Sequence, residues 1–166
     1  MSKRLQIRVS PDWSEMVRVN ETAHAFLEEA NLHPTEIDTY TMVACELVEN
    51  GIKYGESRPG PGRDVELVLA LAKDSVTVHV TNAIGRGSRH HLKQLDWTLQ
   101  WVRGFQDPFQ AYIERVKEIS REPSSQSKSG LGIVRIAYEA RAAIDFVVGE
   151  DDTLCVSAVA KVSDKE

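Results

Sequence analysis

Cys45-Glu46-Leu47-Val48-Glu49-Asn50-Gly51-Ile52-Lys53-Tyr54-Gly55 is the stretch on which the reading of this chain turns. Its apolar spacing predicts the last turns of a helix. At 3.6 residues per turn, Glu46, Asn50 and Lys53 fall at about 0°, 40° and −20° on the helical wheel. Tyr40, Val43, Ala44, Leu47, Gly51 and Tyr54 fill the neighbouring arc, from about 60° to 160°. One face is therefore expected to pack on a sheet, while a carboxylate, an amide and an ammonium group line up along its edge.

Upstream, Asn31-Leu32-His33-Pro34 interrupts helical spacing, so the helix is expected to begin with Thr35 as its cap and Glu36 and Asp38 in its first turn. Before the break, Met16, Val17, Val19, Ala23, Phe26, Leu27 and Ala30 predict an earlier helix within 13–32. Leu5 to Val9 alternates as a short strand closed by Ser10-Pro11-Asp12. Downstream, Ser57-Arg58-Pro59-Gly60-Pro61-Gly62 reads as a loop. Val65 to Ala72 and Val76 to Thr81 then form a hairpin about Lys73-Asp74-Ser75. Beyond the turn Gly85-Arg86-Gly87-Ser88, helices are expected near 92–102 and 108–119. A polar, Ser-rich run, 122–129, precedes Gly130-Leu131-Gly132, which opens a helix through Ala140. Two strands, 143–148 and 154–162, flank a turn at 149–152.

Helices and strands thus come in blocks, β-α-α-β-β, an insert, then α-β-β. That order argues against a parallel βαβ sheet. It predicts a single α+β domain over 1–166, a two-layer sandwich with helices on one face of a mixed, mostly antiparallel sheet. The region from about 85 to 129 is a helical insert.

The formal net charge of −5 carries no basic patch for nucleic acid. The N-terminus lacks an apolar signal core, and no run approaches the roughly 18 residues of a membrane span. A cytoplasmic protein without a membrane or nucleic-acid partner is expected. Cys45 and Cys155 lie in apolar runs without metal-ligand spacing and are read as buried, reduced thiols. His79 sits mid-strand as an ordinary imidazole, and His90-His91 lacks further ligands for a metal. Trp97, Trp101, Phe105, Phe109 and Tyr112 are expected to pack the insert onto the body, with any exposed part open to a partner.

Chemically, the amide oxygen of Asn50 is a hard ligand suited to Mg²⁺. Glu46 can orient or deprotonate an attacking hydroxyl or water, and Lys53 can face phosphate oxygens. A solvated Glu–Asn–Lys cluster would carry the same spacing. Gly130 and Gly132, at a helix start, let backbone N–H groups approach an anion closely. Taken together, the two stretches describe two sides of a nucleoside triphosphate site.

Glu46-x-x-x-Asn50-Gly51-x-Lys53-Tyr54 resembles the N box of the GHKL ATP-binding superfamily, which includes gyrase, heat-shock chaperone, histidine-kinase and mismatch-repair ATPases. Ser129-Gly130-Leu131-Gly132-Ile133-Val134-x-Ile136-Ala137 resembles its second glycine box. The order of the boxes and the hairpin between them match too. A stand-alone domain of this length most resembles the anti-sigma-factor type of serine protein kinase in bacterial partner-switching systems. Its insert is similar to that of the kinase in a related three-protein switch.

The resemblance implies a Bergerat-type ATP-binding fold, ATP and Mg²⁺ as cofactors, a small antagonist-like protein as phosphoacceptor, and a homodimer. It implies that Asn50 holds Mg²⁺, that Lys53, Gly130, Leu131 and Gly132 contact phosphates, and that Glu46 activates the incoming hydroxyl. The superfamily's Asp-x-Gly for adenine is here Asn82-Ala83-Ile84. Asn82 keeps an uncharged carbonyl oxygen for the adenine amino group, while Ile84 narrows the pocket. Two readings follow: a Ser/Thr kinase with the insert as lid, or a non-catalytic protein-binding switch with a degenerate nucleotide pocket. A simple ATPase would differ from the kinase by releasing phosphate without a protein acceptor.

Overall fold

The computed structural model describes residues 2–55, 62–121 and 131–162. The elements run β1 (Lys3–Val9), α1 (Met16–Glu29), α2 (Pro34–Tyr54), β2 (Val65–Leu71), β3 (Ser75–Ala83), α3 (Arg89–Arg103), α4 (Pro108–Arg121), α5 (Leu131–Glu139), β4 (Ala143–Val148) and β5 (Thr153–Lys161). The five strands form one sheet in the order β1-β2-β3-β5-β4. The α+β architecture expected from the block order is present. All four pairings among the described residues are antiparallel, where a mixed, mostly antiparallel sheet was expected.

Period-two alternation makes the sheet two-faced. In β3, Val76, Val78, Val80 and Asn82 are buried, while Thr77, His79 and Thr81 turn to the half-exposed side. β5 answers in register, with Val80 opposite Val156 and Asn82 opposite Leu154. The helices cover the apolar face. α2 packs on β2 and β3, with α1 on one flank and α5 on the other. Leu27, Leu47, Leu67, Leu69 and Ile136 are the largest fully buried side chains of the resulting core.

α2 buries more than the predicted arc, because Val48 and Ile52 are enclosed as well as Val43, Ala44, Leu47 and Gly51. Its cap is His33, not Thr35. Pro34 occupies the first helical position, where its missing N–H costs nothing. His33 Nδ1 accepts from the Thr35 backbone N–H at 3.4 Å, and the Glu36 carboxylate accepts from the His33 N–H at 3.2 Å. The first helix is also shorter than its periodicity suggests. Trp13–Glu15 is a 3₁₀ turn capped by Asp12, and Asn31 ends the helix by adopting φ 58°.

At the far end of α2 from the motif, the Tyr40 hydroxyl donates to the Lys161 carbonyl at 2.9 Å, tying the helix to the last strand. Tyr40→Phe is expected to lower unfolding stability by about 1 kcal/mol, the usual net worth of such a bond. Urea denaturation reads this directly, and an unchanged midpoint would contradict it.

Candidate functional site

Two glycines set how closely α2 meets the sheet. A Cβ at Gly51 would stand 3.1 Å from Val65 Cγ1 and 3.3 Å from Asn82 Oδ1, and one at Gly55 would stand 2.9 Å from Asn82 Nδ2. The end of α2 therefore rides directly over Asn82, which is 4% exposed. Asn82 Nδ2 donates to the Ala83 carbonyl at 3.1 Å. Just beyond, the Ile84 N–H donates to the Asp152 carbonyl at 2.8 Å, fixing the end of β3 to the β4–β5 turn.

Asn50, Gly51 and Tyr54 of α2, Asn82 and Ile84, and the His91 face of α3 enclose a cavity of about 60 Å³. Asn50 and Asn82 thus line one site, although they stand 32 positions apart in the sequence with β2 and most of β3 between them. Leu92, Leu95 and the buried Leu99 seat α3 on the core. The tryptophans do less of this than the sequence suggested: Trp97 is 57% exposed and stacks on Trp101. α4 does pack through aromatics, with Phe109 and Tyr112 lying against Tyr138 of α5. The His91 ring lies 4.6 Å from that of Tyr54, and its buried Nδ1 has no hydrogen-bond partner among the described residues.

Glu46 and Lys53 do not face this cavity. Lys53 is exposed, its Nζ 5.0 Å from the centre of the Tyr54 ring. Glu46 meets the start of α5. A Cβ on Gly132 would overlap Glu46 Oε2, so the second position of α5 accepts only glycine while that carboxylate stays in place. Arg135, one turn on, donates to Glu46 Oε1 at 3.3 Å and to Glu139 Oε1 at 2.8 Å. Leu131 begins α5, half-buried; Gly130 lies outside the described residues, as does 122–129 of the expected lid.

Burial lifts the Glu46 carboxyl above the usual glutamate range, the charge of Glu49 lifts it further, and Arg135 partly offsets both. The folded chain therefore holds this proton more tightly than the unfolded chain does. Its contribution to stability is greatest below the ordinary glutamate pKa and falls as pH rises from there through the raised value. Urea titrations of the native protein and Glu46→Gln across the acidic range should show the native protein losing ground as pH rises. A difference growing the other way would contradict the environment described here.

Arg135 went unnoticed in the sequence, and His91 was read only as a histidine without further metal ligands, not as a wall of this cavity. Arg135 resembles half of an ordinary surface pair with Glu139, and only packing of α5 beside α2 shows its second partner. The free thiols are also more open than expected, both being half-buried. Burial raises the Cys45 pKa, against a lowering contact from Asn20. Among the described residues, no helix is long and apolar enough to cross a membrane.

No family model matches the chain, and no curated protein matches it. Among solved structures, it is similar to a chain in the crystal structure of the SiaB–SiaC complex from Pseudomonas aeruginosa. The match has a TM-score of 0.64 at 15% identity and covers 95% of this chain and 89% of that chain. The likeness is one of fold.

Proposed function

We propose that the chain binds ATP with Mg²⁺ between α2, β3 and α5 and phosphorylates a Ser or Thr of a small partner protein in a partner-switching system. The observation that carries this is the meeting of two motifs distant in sequence. The Glu46 carboxylate rests on Gly132 and pairs with Arg135, 89 residues away, so the acid and the glycine-box helix form one site. That the similar solved chain occurs in a protein complex supports a protein partner.

The residues present suit the two cofactors. Asn50 lines the cavity with its amide uncommitted among the described residues, and Mg²⁺ usually takes one or two protein oxygens plus substrate phosphates. Asn82 offers Oδ1 to a nucleobase amino group, its Nδ2 being held by Ala83. The cavity of about 60 Å³ is far below the roughly 300 Å³ of a small-molecule site, so α3 must withdraw for a nucleotide to enter. In this reading α3 is the lid.

Bound ATP supplies the γ-phosphoryl group, whose bond to the bridging oxygen breaks as the acceptor oxygen bonds to phosphorus, leaving ADP. Glu46 takes the proton of the acceptor hydroxyl, a task suited to a carboxylate whose basicity burial has raised. Asn50 fixes the metal side, and the start of α5 offers backbone N–H groups to the phosphates. No covalent nucleophile is needed, because positioning and charge neutralisation supply most of the catalysis.

Titration calorimetry with ATP, with and without Mg²⁺, tests this. Mg-dependent binding is expected, and no binding by the intact protein would overturn it. A second reading is favoured by the small cavity and by the bond that commits Asn82 Nδ2: a protein-binding switch without turnover. Under that reading Asn82→Asp fails to create nucleotide affinity, whereas in a working pocket the added charge tightens it.

A further inference from the structure

α2 carries a second loaded face, turned about 160° from the one that lines the cavity under α3. Asp38, Thr41, Glu46 and Glu49 line a separate cleft of about 360 Å³, closed by His24 of α1 and Arg135 of α5. Its balance is acidic. Three carboxylates face one guanidinium, and Arg135 is already shared between Glu46 and Glu139. The His24 imidazole stands 3.9 Å from Asp38 and also 3.9 Å from Glu28. Glu49 meets no lysine or arginine among the described residues. Thr41, a lining residue of this cleft, is 4% exposed, and its buried hydroxyl has no hydrogen-bond partner among the described residues.

We propose that this cleft is the acceptor site, and that it takes a partner segment whose phosphorylatable hydroxyl is flanked by lysine or arginine. The inference rests on the kinase reading above. Two observations carry it beyond that reading. First, Glu46 opens to this cleft while Asn50 opens to the other cavity, so the hydroxyl and the phosphoryl group approach from opposite faces of α2 and meet at the Glu46–Asn50 ridge. Second, unmatched carboxylates beside an unsatisfied buried hydroxyl are complementary to an ammonium or guanidinium group. Two such groups, about 16 Å apart along α2, would neutralise Asp38 and Glu49 separately. An acidic segment would meet like charge from both, the repulsive half of specificity.

The test uses two short fluorescent peptides of equal length, one with serine among lysines and arginines, the other with serine among aspartates and glutamates. Each is titrated by anisotropy into the full chain and into the Asp38→Asn, Glu49→Gln double variant, in Mg²⁺ and a non-hydrolysable ATP analogue. The basic peptide is expected to bind the native protein at least about tenfold more tightly, with a preference that shrinks in salt and disappears in the double variant. Equal binding, preference for the acidic peptide, no binding of either, or a basic preference that survives in the double variant would each overturn the proposal. Calorimetry with ATP on the same samples separates the two ideas. Basic preference without nucleotide binding would retain the cleft as a site for basic segments and remove the kinase reading.

Discussion

Asn50→Ala is expected to weaken Mg-dependent ATP binding by about 100-fold or more while leaving the fold intact. Loss of an outer-sphere partner already costs a metal site about 10–100-fold, and Asn50 is proposed as a direct ligand. A 100-fold loss corresponds to about 2.8 kcal/mol at 1.4 kcal/mol per tenfold. The stability cost should be small, because Asn50 is half-buried, makes no hydrogen bond among the described residues and lies where helix propensity favours alanine. Calorimetry of the variant beside the native protein is the measurement. Affinity that depends on Mg²⁺ equally in both would remove Asn50 as the metal ligand. If Mg²⁺ ceases to matter but weak ATP binding persists, the base and phosphate contacts are independent of the metal, as separate walls of one cavity require.

Much of this architecture was legible because it is periodic. The β3 alternation Val76, Val78, Val80 fixes which face is buried, and the register with β5 follows from the same rule. Asn82 continues that alternation, so an amide occupies a core position at the very end of the strand. The junction of α1 and α2 was read less well. Thr35 has the usual capping hydroxyl, but Pro34 at the first helical position moves the cap back to His33.

What sequence periodicity could not supply is which face of α2 meets which neighbour. Glu46 and Asn50 are one turn apart and fall on one edge of the wheel, yet the boundary between two cavities runs between them. That division depends on where α3 and α5 dock, and neither helix announces its docking face by spacing alone. On α3, the tryptophans drew attention, but Leu99 is the side chain that is buried, because a small, branched side chain fits the seam beside α5.

Glu46→Gln is expected to lower phosphoryl transfer by about 10²–10⁴-fold, the range for losing a positioned general base, with ATP affinity changed little. Glutamine keeps the length and can still accept from Arg135, so packing against Gly132 is preserved and the proton acceptor alone is removed. The environment of Glu46 sharpens this expectation. Burial and Glu49 raise its proton affinity, while Arg135 partly offsets them in favour of the ionised form that accepts a proton. Activity of the native protein should therefore rise with pH through the titration of Glu46, and that limb should vanish in the glutamine variant. Transfer to a serine-containing acceptor, followed with labelled ATP across the acidic to neutral range, distinguishes the alternatives. A variant that binds ATP normally but transfers at the native rate would show that Glu46 has a structural role, holding α5 against α2 through Arg135, and that phosphoryl transfer needs no carboxylate at this ridge.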